Sequence, residues 1–186
     1  MLQWPRPGWL ADFVRIGGDD FVVDAFRAEV ACLAGGDDLR PRLELLLAES
    51  GTGGSVDEIL EVWHDIVIDA EALAVVERVR ASGLIVGLAT NQQSYRGGHM
   101  RHVYGIDRHF DHAFYSYEVG HAKPSPAFFG HIVAELGLPA EQVAFVDDAP
   151  ANVRGARLAG LRAALHRVGD GASGLAADLA GLGVPI

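Results

Sequence analysis

The feature that most constrains this chain is an unbroken apolar run, Leu84-Ile85-Val86-Gly87-Leu88-Ala89, bounded by Gly83 and by the polar pair Thr90-Asn91. A run of this length between a glycine and a polar tip reads as a β-strand buried on both faces. Shorter apolar stretches at 113–116, 143–146 and 162–166 predict three more strands. Helical segments separate them and stop at Gly83, Gly105, Gly137 and Gly160. Strands alternating with helices imply a parallel sheet joined by right-handed crossovers. The expected fold class is α/β, a Rossmann-like parallel sheet wrapped by helices.

Residues 9–82 read differently. They carry helical patterning and helix punctuation, with no convincing strand. Gly17-Gly18-Asp19-Asp20 and Gly35-Gly36-Asp37-Asp38 repeat a stop-then-cap sequence, in which Asp19 or Asp20, then Asp37 or Asp38, opens the next helix. Ser55-Val56-Asp57-Glu58 is a capping box opening a helix that runs to about His64. Residues 1–68 are therefore expected to form a helical region, and 69–186 the Rossmann-like core.

With 49% hydrophobic and 22% charged residues, the chain is not a disordered one. Its 25 acidic against 15 basic residues give a net charge of −10, which repels phosphate backbones and anionic lipid. Neither nucleic acid nor a membrane is expected as a partner. Cys32 is the single cysteine, so no internal disulfide forms and a reducing compartment fits. The start, with Trp4, Pro5, Arg6, Pro7 and Gly8, lacks the apolar region of a signal peptide. The expectation is a cytoplasmic protein.

Open parallel sheets bind ligands at the carboxyl ends of their strands. There this chain places Thr90-Asn91 after the first strand, Lys123 in the loop after the second, and Asp147-Asp148 after the third. Hydroxyl, amide and ammonium groups donate to phosphate or carboxylate oxygens. Paired carboxylates without Cys or His suit a hard cation such as Mg²⁺. Together they point to phosphoryl or acyl-phosphate chemistry on a small phosphorylated or other anionic substrate. The bland alternative is that Thr90, Asn91 and Asp148 only cap the helices that follow them.

The segments LIVGLATNQ (84–92), GHAKPSP (120–126) and AFVDDAPANVRGARLAG (144–160) resemble the haloacid dehalogenase (HAD)-like hydrolases, most closely the phosphatase-type branch with a small helical cap ahead of the second motif. The resemblance implies that Thr90 and Asn91 bind phosphate and that Lys123 steadies the nucleophile and the phosphoryl group. It also implies that Asp148, beside Asp147 and supported by Asn152, holds Mg²⁺, and that 9–66 is the cap. Thr90 and Lys123 are then the catalytic candidates of this chain. The Asp147-Asp148 pair favours a phosphatase over a dehalogenase, which needs no metal.

One part of the family pattern is missing. HAD enzymes open with an apolar strand ending in Asp-x-Asp, whose first Asp is the nucleophile, and no such strand occurs here. The sequence looks clipped ahead of Met1. Phe21-Val22-Val23-Asp24 is the one apolar-then-Asp candidate, but helical sequence follows it and a cap-helix residue is the better reading of Asp24. A non-catalytic HAD-fold binding protein is the alternative function. The family's first strand lies between the strands ending at Thr90 and Asp147, and two open apolar edges are a liability. That slot is expected to be filled by Met1–Leu10, by direct pairing of the two strands, or by a strand from a second copy in a homodimer. The pairs His99/His102 and His109/His112 have metal-like spacing but no Cys partner, and read as polar helix and loop positions.

Overall fold

The computed structural model describes residues 2–186. Its first part is a helical cluster: strand β1 (Gln3–Pro5), then α1 (Trp9–Gly17), α2 (Asp19–Cys32), α3 (Leu39–Ser50) and α4 (Val56–His64). The expected punctuation largely holds. Asp38 caps α3 by accepting from the Arg40 amide, and Ser55 and Glu58 close a reciprocal capping box on α4. At α2 the cap residue is instead Gly18, with φ +87°, and Asp19 and Asp20 are the first helical residues, where the helix dipole favours their charge. The four helices bury Phe13, Phe21, Leu43, Ile59 and Trp63 against one another. Phe13 meets the Trp63 ring edge-on at 4.9 Å between centroids, a preferred aromatic geometry.

The second part alternates: β2 (Ile66–Ile68), α5 (Ala70–Ala81), β3 (Gly87–Thr90), α6 (Ser94–His102), β4 (His112–Tyr115), α7 (Ser116–Val119), α8 (Pro126–Leu136), β5 (Ala144–Asp147), α9 (Pro150–Leu158), β6 (Arg162–Leu165) and α10 (Gly171–Gly181). Strand β3 pairs with β4 in parallel from Gly87↔His112 to Thr90↔Tyr115. Strand β5 pairs with β6 in parallel from Ala144↔Arg162 to Asp147↔Leu165. Phe128, Phe129, Phe145 and Ala156 form the buried layer between β5, α8 and α9. The architecture is the expected α/β one.

Three expectations are corrected. Residues 9–82 do contain a strand: β2 pairs antiparallel with β1, Gln3↔Ile68 to Pro5↔Ile66. The N-terminal segment is thereby used up beside α5 and does not enter the sheet between β3 and β5. The apolar run 84–89 becomes a strand only from Gly87, and Leu84 and Ile85 are exposed. The main-chain groups of Val86 are already taken by Asp111, whose carboxylate accepts the Val86 N–H at 2.9 Å while its own N–H donates to the Val86 carbonyl at 2.8 Å.

The third correction concerns the slot. Among the described residues β3 and β5 neither pair with each other nor share a strand between them, and the strands form three separate two-stranded sheets. A cavity of about 620 Å³ separates their facing edges, with Leu88, Ala89, Phe145 and Val146 in its walls. The slot, expected to be filled by Met1–Leu10 or by direct pairing of its two edges, holds neither. At its carboxyl end a side chain, not a ladder, bridges the gap.

Candidate active site

That side chain is Lys123. Its Nζ donates to the Ala89 carbonyl of β3 at 2.8 Å and to Asp147 Oδ2 of β5 at 2.7 Å. The two side chains are only 9% and 7% exposed, so the ion pair is a buried one. The ammonium also lies 5.6 Å from the centre of the Phe145 ring, within cation–π range.

Each neighbour of Lys123 is placed by a short local rule. Asn91 follows β3 directly, and its side chain clasps the Lys123 main chain, accepting from the Lys123 N–H at 2.9 Å and donating to the Lys123 carbonyl at 2.8 Å. Asn91 therefore positions the lysine loop, a role its resemblance to a phosphate-binding residue did not imply. Gly155 on α9 lets that loop approach closely, because a Cβ there would stand 2.1 Å from the Pro124 carbonyl oxygen. Thr90, 9% exposed, accepts from Gln92 Nε2 at 2.9 Å. Ser116, fully buried at the end of β4, accepts from the Gln92 N–H and donates to the Gln92 carbonyl, tying the turn after β3 to its neighbour.

The two aspartates differ. Asp147 Oδ1 accepts from the Ala149 N–H and from Asn152 Nδ2, both at 2.9 Å, while Oδ2 holds Lys123. Asn152 thus supports Asp147 and not Asp148. Asp148 makes no hydrogen bond or ion pair with a described residue and lines the same cavity as Thr90, Lys123 and Asp147. It is the freer carboxylate, with oxygens available to a hard cation.

The structure therefore brings Thr90, Lys123, Asp147 and Asp148 to one cavity mouth, with Asn91 and Asn152 behind them. The remaining candidates lie elsewhere. Asp24 sits on α2 in an ion pair with Arg27 at 2.9 Å. His99 stacks on His64 at 4.2 Å, and His109 bonds Glu77 at 2.7 Å. No group of three or more His, Cys, Asp or Glu among the described residues is arranged to hold a metal. None of the described helices is long and apolar enough to cross a membrane. Gln92, Gln93 and Ser116 are site neighbours that sequence reasoning missed. Their one signal was adjacency to Thr90-Asn91 and to the end of the second strand.

A parallel-stranded α/β fold with its polar residues gathered at the carboxyl ends of β3 and β5 defines the class of protein. Within that class, the profile of the haloacid dehalogenase-like hydrolases matches residues 6–160, and the chain belongs to that family. It is similar to a phosphoserine phosphatase of Thermus thermophilus, 38% identical over 94 residues, which is 50% of this chain and 38% of that protein. It is also similar to phosphatase MT3486 of Mycobacterium tuberculosis, 33% identical over 115 residues, 61% of this chain and 53% of that one. The chain thus spans about half or less of the length of these relatives. A HAD family enzyme from Bacteroides thetaiotaomicron, solved as a magnesium complex, shares the fold with a TM-score of 0.78 and 19% identity, covering 91% of this chain and 89% of that chain. An Asp-to-Ala mutant of the same enzyme, in complex with magnesium and inorganic phosphate, gives a TM-score of 0.77 at 19% identity, covering 90% of each.

Proposed function

We propose that this chain belongs to a Mg²⁺-dependent phosphatase for a small phosphorylated metabolite, working through an aspartyl-phosphate. The observation that carries the reading is Lys123, a nearly buried ammonium held between the edges of β3 and β5 in a cavity that Thr90 and Asp148 also line. A cation and a hydroxyl at that point serve phosphoryl oxygens, because hydrogen bonds and charge fixed in advance stabilise the charge that develops in transfer. The phosphatase relatives and the magnesium- and phosphate-bound neighbour lend support.

The donor set fits magnesium in one respect: Asp148 has free oxygens, and Mg²⁺ needs only one or two protein carboxylates beside water and phosphate oxygens. When bound, the metal would neutralise phosphoryl charge. Thr90 would hold a phosphoryl oxygen, Lys123 would keep nucleophile and phosphoryl group together, and Asn91 would hold Lys123 in register. Asp147 and Asn152 would orient the lysine and the strand end.

The attacking carboxylate is not among these groups. We infer that it arrives on an apolar strand lying in the slot between β3 and β5, from outside residues 1–186. Its oxygen would form a bond to phosphorus as the ester oxygen leaves, and water would then hydrolyse the acyl phosphate. With Mg²⁺ and a generic phosphate ester, residues 1–186 alone should show background hydrolysis. A version extended at its start by an apolar strand ending in Asp should turn over, and lose that activity when the Asp becomes Asn. Turnover by residues 1–186 alone that Lys123→Ala abolishes would refute the route. The second reading, a non-catalytic binding protein of the same fold, is favoured by one observation: no described carboxylate in the slot has the nucleophile's place.

A further inference from the structure

The chain leaves the β1–β2 strand pair for the helical cluster at residues 6–8 and returns to it at residues 64–65. The two crossings lie side by side. The Arg6 N–H donates to the Asp65 carbonyl at 3.2 Å, and the Arg6 guanidinium pairs with the Asp65 carboxylate. Gly8, with φ +88°, supplies the bend into α1. Short connections at element ends, placed together, are the places where a chain absorbs changes of φ and ψ.

The return crossing carries an unusual contact. His64, the last residue of α4, lies flat on His99 of α6, with ring centres 4.2 Å apart and planes 7° from parallel. Tyr104 braces both: its ring meets His99 edge-on at 5.1 Å, and its hydroxyl donates to the His64 carbonyl at 3.3 Å. A cavity of about 300 Å³, lined by Arg6, Glu61, His64, Asp65, His99 and Tyr104, lies beside the stack and leaves the rings room to part. One imidazole pair thus joins the helical cluster to α6 at the bend itself.

The contact suits neutral rings and not charged ones. His64 Nε2 is buried without a partner. A neutral imidazole can leave this nitrogen as a lone pair, whereas an imidazolium must donate from both nitrogens and here would lack one acceptor. Burial, and the nearby His99, hold His64 below the ordinary histidine range; Arg96 acts in the same direction, while Glu61 and the Tyr95 main chain act against it. The charged groups facing the pair come from every side. Glu61 belongs to α4, Arg6 to the outgoing crossing, and Asp65, already paired with Arg6, to the return. Arg96 and His102 stand one turn to either side of His99 on α6. Glu61 can balance one added proton. A second positive charge, stacked on the first, has no counter-ion left.

We propose that the His64–His99 stack is a proton-operated latch, which holds α4 against α6 when both rings are neutral and releases the helical cluster to swing about residues 6–8 and 64–65 when both are charged. The release belongs to mildly acid solution, below the ordinary histidine value of about 6.5. It is independent of the chemistry at Lys123.

The test measures a distance across the seam by pulsed electron resonance. Spin labels are placed at Leu45→Cys on α3 and Leu158→Cys on α9, both exposed, in a Cys32→Ala background. At pH 7.5 one distance is expected. A second, longer one should grow towards pH 5.5, its ratio to the first rising by up to about tenfold per pH unit for each proton taken up on opening. His64→Phe and His99→Phe each keep a flat ring in the stack, and each should flatten the rise. The double variant should hold the short distance throughout, and His102→Gln should behave as wild type. Circular dichroism of the same samples should show constant helix content while the long distance grows. A distance that does not change with pH, a rise that survives both single replacements, or a rise lost in His102→Gln would overturn the latch. So would a loss of helix in step with the distance, since that is acid unfolding.

Discussion

Replacing Lys123 with Met keeps the aliphatic stem over Phe145 and removes only the ammonium. In the folded chain that ammonium pairs with Asp147 at 2.7 Å and caps the Ala89 carbonyl at 2.8 Å. With both side chains under 10% exposed, screening by solvent is weak. Breaking a buried pair by removing one partner costs about 3–5 kcal/mol, because the remaining charge is left uncompensated. Asp147 keeps two donors, the Ala149 amide and Asn152, which softens the loss. The expected cost is about 2–4 kcal/mol, a large share of a total stability of about 5–15 kcal/mol. For a domain of this size that lowers Tm by roughly 5–15 °C. Urea denaturation of wild type, Lys123→Met, Asp147→Asn and the double variant gives the coupling directly, since neighbours in one network do not add. The double variant should lose less than the two single losses together, by about 1.5–3 kcal/mol. A Lys123→Met cost below about 1 kcal/mol, or single effects that simply add, would refute the bridge as the element joining β3 to β5.

Two further outcomes follow from the same geometry. Gly155→Ala drives a methyl into the Pro124 carbonyl, so it should destabilise by about 1–3 kcal/mol and weaken phosphate binding through the displaced Lys123 loop, measured by denaturation and calorimetry; wild-type values for both would contradict the close approach. Burial, with the stacked His99 beside it, holds His64 below the ordinary histidine range. As pH falls through about 6.5 the unfolded chain takes up that proton first, so stability present above this pH should decline on acidification. A His64→Phe variant should show a flatter urea midpoint between pH 7.5 and 5.5, and an unchanged slope would exclude the histidine stack as a cause.

The core strands were legible because each is a short apolar run ending in polar residues, though two of them run one residue further than the apolar run, to Thr90 and Asp147. Strand β2 was not. Three residues between Asp65 and Asp69 carry no period, and their partner β1 lies some sixty residues away, so pairing decides the conformation. Residues 84–86 misled because apolar character reports burial in a complete sheet, and here the slot is open beside them. Lys123 was legible as a cation near the strand ends, but its bridging of two strands was not, since a side chain's reach is a tertiary fact.

The central claim is that Asp148, Thr90 and Lys123 together receive magnesium and a phosphoryl group. Calorimetric titration of Mg²⁺ into the chain saturated with inorganic phosphate tests it most directly. The account predicts weak binding that tightens with phosphate, is lost in Asp148→Asn, and loses its phosphate dependence in Thr90→Val. Asp148→Asn binding Mg²⁺ as wild type does, with the same dependence on phosphate, would contradict it.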